Sequence, residues 1–433
     1  MNRSEVGPEP PSSAYGARHE QQATPEEILH DRNILVIAHQ YGIFTKAQVD
    51  ELAALANQVH VYVRYNRIGD LTRLVDVDAL QGFGKGDKVV ADQPPNVHVH
   101  PTPVTYLPVD PWYRRLGPHH YWSVSRRLSD NPIEFDLVHA HFTWSAGYVG
   151  ARVGDELDVP SVLTIHENQN WLDTELTWGN DRLEWALRYQ DAIIRVNERD
   201  CDRLRAYNDD VYAIPNGFDP ERLPYQPTDE ARQALDLPRD ADVVFSVGDL
   251  SERKRFDRLI RAVATLDRDV ILRIAGRGEQ REHLEAVAGE CQGEVDARLL
   301  GYVPDETLAR WMNACDVFAL ASRAEGNPTV MFEAIGTGTP YVGTNVGGVD
   351  EIITDEAYGL YCPPDDEEAL VSILASGLDR EWDRDAIRSY ASQFTWEQIV
   401  RDVAHVYEHV WNGSNSHVEN PARYENGESA THE

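Results

Sequence analysis

Val317-Phe-Ala-Leu320-Ala321-Ser-Arg-Ala-Glu325-Gly326-Asn327-Pro328-Thr329-Val-Met-Phe-Glu333-Ala-Ile-Gly-Thr-Gly-Thr-Pro340 is the stretch on which the fold turns. A short apolar run ends at Leu320 and has the length of a buried strand. A polar loop follows with Glu325 and Gly326, and the spacing predicts a helix from about Pro328, since proline suits a first helical turn. The free N–H groups and positive dipole end of such a helix attract an anion. Glu333 falls about one turn in and can face the same side as Glu325. Two carboxylates then flank a phosphate cradle, an arrangement that suits a sugar nucleotide. Its diphosphate would rest on the helix end and its hydroxyls on the acids.

Outward from this unit the same pattern repeats. Strands are expected at 33–38, 59–63, 136–140, 161–164 and 192–194, separated by amphipathic stretches. After Ile214-Pro215-Asn216-Gly217-Phe218-Asp219 the pattern restarts, with strands at 243–247, 270–275, 298–301, 317–320 and 341–344. Strand–helix alternation means right-handed crossovers and a parallel sheet. The expected class is therefore α/β, with two parallel-sheet units facing across a cleft, the default ligand site in such folds. The domains expected are a loose leader at 1–31, a first unit at 32–215, a second at 216–390, a helix at 391–411 able to cross back to the first, and a disordered tail at 412–433. Polar, Pro-rich sequence at one end and Asn, Ser, Glu and Gly at the other motivate the outer two.

Composition narrows the function. The 433 residues hold Asp+Glu 73 against Lys+Arg 40, a net charge of −33. That excludes a general nucleic-acid binder, because phosphate contact needs Lys and Arg. Only Lys46, Lys85, Lys88 and Lys254 are lysines, and abundant acid with scarce Lys resembles proteins of salt-loving archaea. Cys201, Cys291, Cys315 and Cys362 form no C-x-x-C pair, so neither a disulfide framework nor a zinc site is expected, and a reducing interior fits. No run reaches the roughly 18 apolar residues of a membrane span, and no signal core is seen. A cytoplasmic location is expected, including the inner face of the cell membrane.

The motif Glu325-x7-Glu333, followed by Gly-Thr-Pro340 and by Val346-Gly347-Gly348-Val-Asp-Glu351, resembles the retaining glycosyltransferase family 4 of GT-B fold. Val247-Gly248-Asp249-Leu250-Ser-Glu-Arg253-Lys254 resembles that family's phosphate-binding strand and loop. Ile214 to Asp219 resembles its interdomain segment, and Leu300-Gly301-Tyr302-Val303 its base-binding strand end. Phe135 to His141 and Thr164-Ile-His166 resemble two acceptor-side strand ends. The likeness runs over about residues 32–411.

It implies a retaining transferase moving a sugar from a nucleotide-diphosphate donor to a glycan, lipid-linked or small-molecule acceptor. Glu325 would contact the donor sugar at the reacting centre, and Glu333 the ribose. Lys254 would neutralise the diphosphate. Backbone N–H groups across Gly326, Asn327, Pro328 and Thr329 would hold donor oxygens. Tyr302 and Val303 would meet the base, Gly42 the donor, and His141 both acceptor and donor sugar. No cofactor and no divalent metal are expected, because fixed cations and a helix end can stabilise a departing diphosphate. Glu325 is not read as a covalent nucleophile, since the two-carboxylate hydrolase geometry is not shown.

The chain departs from the pattern in three places. Asp249 stands where the family commonly has Arg, so Arg253 or Arg255 is needed to compensate. The loop His39-Gln40-Tyr41-Gly42 has one glycine where many relatives have two. Ala321 replaces a usual Pro. His139 and His141 are read as pointing to opposite faces of their strand, with His141, nearer the tip, toward the cleft.

Two matters stay open at this level. Residues 111–128 interleave four aromatics with four arginines and no acid, with Trp112, Arg114, Arg115 and Trp122 foremost. They suit either a membrane-interface or acceptor patch or an amphipathic helix packed on its own domain. The rivals to a transferase are a non-catalytic sugar-nucleotide-binding scaffold subunit and a GT-B epimerase, which would consume donor with no acceptor present.

Overall fold

A computed structural model describes residues 23–71, 84–89, 92–106 and 110–414. Its first sheet holds β1 (Asn33–Ala38), β2 (Gln58–Asn66), β3 (Val97–Val104), β4 (Leu137–His141), β5 (Ser161–Ile165), β6 (Ala192–Arg195) and β7 (Val211–Ala213), in the order β3-β2-β1-β4-β5-β6-β7. The second holds β8 (Asp242–Val247), β9 (Val270–Ala275), β10 (Asp296–Gly301), β11 (Val317–Leu320), β12 (Tyr341–Thr344) and β13 (Gly359–Cys362), in the order β10-β9-β8-β11-β12-β13. Every pairing in both is parallel. The two Rossmann-like halves expected from the sequence are present.

Period-two alternation explains how each strand feeds two cores. Ile34, Val36 and Ala38 of β1 join Leu137 and the C-terminal helix on one face. Leu35 and Ile37 join Val138, Ala140 and Val149 on the other. β3, β7 and β13 escaped the sequence reading. β3 carries two prolines, which an edge strand tolerates, while β7 and β13 are only three and four residues long.

The chain crosses between halves twice, side by side. The linker segment Gly217-Phe218 meets the stretch before the last helix, with the Phe218 N–H donating to Phe394 O (3.1 Å) and the Trp396 N–H to Phe218 O (3.0 Å). The helix Trp396–Ser414 then lies on the first half, burying Trp396, Val400, Val403, Tyr407 and Val410 in its core.

The leader ends earlier than expected. Thr24 and Glu27 form a capping box for the helix Pro25–Leu29, and Leu29 is fully buried in the core it shares with the C-terminal helix. The polar composition before it hid a five-residue helix whose docking needs the far end of the chain. At that far end, the last helix continues to Ser414, and residues 415–433 lie outside the described residues.

Candidate active site

β11, the loop after it and the helix Thr329–Gly336 form the unit anticipated at the start. Glu325 is buried and gripped by two cations. Its Oε1 lies 2.7 Å from Lys254 Nζ, and its Oε2 accepts from Arg253 Nη1 at 2.5 Å. Burial alone would push this carboxyl up, but Lys254 and Arg253 outweigh burial and hold it below its ordinary range. The stem of Lys254 packs over Gly248, where an added Cβ would lie 3.1 Å from Lys254 Cε. The glycine at the β8 end therefore makes room for the lysine.

Glu333 is also buried on the first turns of the helix. Arg222 Nη1 donates to its Oε1 at 2.6 Å, while Nη2 reaches Asp305 at 2.8 Å. Burial pushes the Glu333 carboxyl up, and Arg222 only partly offsets this. Pro328 is the N-cap and offers no side-chain acceptor, so no side chain of its own caps the first turn, though the Met331 N–H donates to Pro328 O at 3.0 Å. Thr329 opens the helix.

The two candidate substitutes for the missing arginine separate clearly. Arg253 faces the site, bonding Ala324 O (2.8 Å) as well as Glu325, with its other nitrogen 3.3 Å from Asp249. Arg255 turns away to Pro364 O (2.7 Å) and Asp365 (2.8 Å). Tyr302 stands 65% exposed at the end of β10 with Arg277 over its ring, while Val303 packs on the second core.

Facing this unit, the first half presents the C-terminal ends of β4, β5 and β6. A Cβ on Gly326 would sit 2.0 Å from His166 O, so only glycine lets the two backbones approach this closely. Asn197 Nδ2 donates to Gly326 O (2.8 Å), and Asn216 bonds Asn327 through both its N–H and its side-chain amide (2.9 Å each). Across the same seam, Glu351 accepts from the N–H groups of Glu198 (2.7 Å) and Arg199 (3.1 Å). The loop from Glu325 to Pro328 is thus clamped by both halves.

The histidine expectation is corrected. His139 and His141 share one face of β4, as residues two apart must, and their ring centroids are 4.3 Å apart. His139 is a packed core histidine between the Tyr407 hydroxyl (2.6 Å) and Thr164 Oγ1 (2.7 Å). His141 sits at the tip, with Nδ1 3.0 Å from His166 Nε2. Burial lowers its pKa to about 4, so it is neutral near pH 7.

Gly42 caps the helix after β1 in an extended conformation, and a Cβ there would meet only Gln40 at 3.7 Å. Internal packing therefore does not require a glycine at this position. In the aromatic patch, Leu116, His120 and Val124 are buried against their own domain, whereas Trp112 and Trp122 stay more than half exposed (55% and 57%). Arg114 lies over Trp178, Arg126 pairs with Trp122 and Asp130, and Arg115 is exposed. Sequence reading missed Arg222, Asn197 and the part Asn216 plays, because their partners lie more than 80 residues away and no local pattern marks them.

Two family models match in tandem: Glycosyltransferase Family 4 over residues 42–222 and Glycosyl transferases group 1 over residues 227–394. The chain belongs to the glycosyltransferases of GT-B fold. Among curated relatives, a D-inositol 3-phosphate glycosyltransferase of Saccharomonospora viridis is 28% identical over 389 residues, covering 81% of this chain and 89% of that one. An uncharacterized glycosyltransferase of Methanocaldococcus jannaschii is 27% identical over 298 residues, covering 63% and 75%. Among solved structures, sucrose-phosphate synthase from Thermosynechococcus elongatus superposes with a TM-score of 0.70 at 20% identity, covering 88% of this chain and all (100%) of that one. Anabaena HepE in complex with UDP gives 0.66 at 19%, covering 87% and 100%. Each half of this glycosyltransferase therefore carries its own family signature, and the site described lies on their seam.

Proposed function

We propose that this glycosyltransferase takes a nucleotide-diphosphate sugar, with the diphosphate held by Arg253, Lys254 and the N-terminal turn of the helix Thr329–Gly336. The observation that carries this is the pair of cations closing on buried Glu325, in the loop that leads into a helix with no side-chain cap. That HepE is solved with UDP and with UDP-glucose supports a uridine nucleotide as the first donor to try.

Transfer proceeds with retention and without a metal in this reading. As the sugar–phosphate bond breaks, negative charge builds on the leaving diphosphate, where fixed cations stabilise it. Those cations are side chains of the chain itself. Glu325 shifts to the sugar hydroxyls once the diphosphate takes over Arg253 and Lys254, and Glu333 serves the ribose. Tyr302 and Val303 flank the base, and Gly42 lies by the donor. His141 and the ends of β4 and β5 form the acceptor wall. Exposed Trp112 and Trp122 beside Arg114 and Arg115 favour a peripheral contact with a membrane that carries a lipid-linked acceptor.

The deciding experiment is a thermal-shift screen of nucleotides and nucleotide sugars in molar salt. The expected result is a rise in melting temperature with one nucleotide diphosphate, lost in Lys254→Ala. No shift with any nucleotide would reject the donor reading. Consumption of donor without acceptor, giving an isomerised sugar, would favour an epimerase, and binding with no turnover a scaffold subunit.

A further inference from the structure

Among the described residues four arginines are buried, and they are not alike. Arg195 is paired with Asp200 (2.6 Å), Arg232 with Asp316 (2.8 Å) and Arg273 with Asp296 (2.7 Å). Arg64, only 8% exposed, has no carboxylate within 4.0 Å among the described residues. In a chain of net charge −33 acids are abundant, so an unpaired buried guanidinium is conspicuous and costly.

Its place in the fold is equally specific. The register pairs Ala38, the last residue of β1, with Val63, so Arg64 lies one step past the end of β1. Its Nη1 donates to Ser145 Oγ (2.9 Å), just beyond β4. Since β1 separates β2 from β4 in the sheet, the side chain spans the C-terminal end of β1. Sheet order reverses there, and open parallel sheets bind ligands at that crevice. Tyr106 and Tyr113 flank the guanidinium at 5.7 and 6.0 Å, and His120 Nδ1 lies 2.9 Å from the same Ser145 oxygen.

Burial shifts the other titratable groups nearby toward their neutral forms. Burial keeps His39 and His120 neutral and holds the Tyr113 hydroxyl protonated. Glu175 interacts electrostatically with Arg64 without forming an ion pair with it, and Glu167 neighbours Glu175. Burial pushes both carboxyls toward the protonated form, and Glu175 is pushed further by Glu167.

We infer that Arg64 binds an oxyanion on the acceptor, so that the acceptor is a phosphorylated sugar or polyol, with Ser145, Tyr113 and His120 around its phosphate. This rests on the transferase reading above and deepens it. The test uses acceptor pairs differing only by a phosphomonoester (glucose and glucose 6-phosphate, fructose and fructose 6-phosphate, inositol and inositol 3-phosphate), plus phosphatidylinositol vesicles. Nucleotide diphosphate release is followed with the donor found in the screen. Turnover is expected with a phosphorylated member and not with its plain partner. Arg64→Gln should lower kcat/KM on that acceptor at least 30-fold, chiefly through KM, and Arg64→Lys should recover part of the loss. Nucleotide affinity measured in parallel shows that each variant is folded and tests the donor half separately. Turnover of vesicles alone, with the same Arg64 dependence, would place the phosphate on a lipid headgroup. Equal use of plain and phosphorylated acceptors, no turnover of any phosphorylated one, or a change under twofold in Arg64→Gln would overturn the inference.

Discussion

Glu325 sits between Arg253 and Lys254, and under the donor reading proposed above this contact yields when a diphosphate enters. A charge-assisted hydrogen bond contributes about 1.5–3 kcal/mol. Arg253→Ala is therefore expected to weaken binding of the nucleotide diphosphate by tenfold or more, as read by calorimetric titration. Arg255→Ala should leave it within twofold, since that side chain is spent on Asp365. Equal losses would mean that Asp249 is compensated in another way. Gly326→Ala tests the seam. The added methyl meets the His166 carbonyl, which is backbone and cannot rotate away. The halves must move apart, at a cost of about 1–3 kcal/mol. A lower melting temperature and at least tenfold lower transfer are expected. Unchanged transfer would show that the closed seam is not the working state.

At the scale of an element, the C-terminal helix is the part with most to lose. It comes from the end of the chain yet completes the first core, and Tyr407 anchors it to β4 through His139. Tyr407→Phe keeps the ring and removes the hydroxyl, leaving His139 Nδ1 short of a partner. The expected cost is about 1–3 kcal/mol, read as a lower midpoint in denaturant. Tyr407→Ala should cost about 3–5 kcal/mol, because a cavity is added. If Tyr407→Phe were neutral, the bond to His139 would carry no stability. The strand β11 and its following helix were legible in sequence because a local pattern of strand length, loop and N-terminal proline defines them. The leader helix was not, because the helix it packs against most comes from the far end of the chain.

For the whole molecule, two global conditions follow from charge. His120, His139 and His141 are buried and His39 and His166 partly buried, and desolvation lowers the pKa of each, that of His141 to about 4. The unfolded chain takes up these protons near pH 6.5 while the folded chain does not, so stability is lost as pH falls below about 6.5. Each such group contributes a slope of about 1.4 kcal/mol per pH unit until its folded pKa is reached. Thermal unfolding between pH 7.5 and 4.5 should show a steep decline from this set, and His139→Gln should flatten it. A melting temperature independent of pH over this range would contradict the burial of these rings as neutral groups. The −33 net charge also predicts that melting temperature rises as salt goes from millimolar to molar, because screening relieves self-repulsion. A fall with added salt would refute that.

The sequence by itself determined the two parallel-sheet halves, the strand–loop–helix unit around Glu325 and Glu333, and the scarcity of lysine that made Lys254 stand out. These depend on period, spacing and composition, which are local. Only the tertiary structure decided which of Arg253 and Arg255 faces the site, that the final helix lies behind His139, and that Arg64 is a buried cation with no carboxylate within 4.0 Å among the described residues. Those facts concern pairings across more than 70 residues or the lack of one. Chain-distant geometry leaves no periodic trace in the order of amino acids.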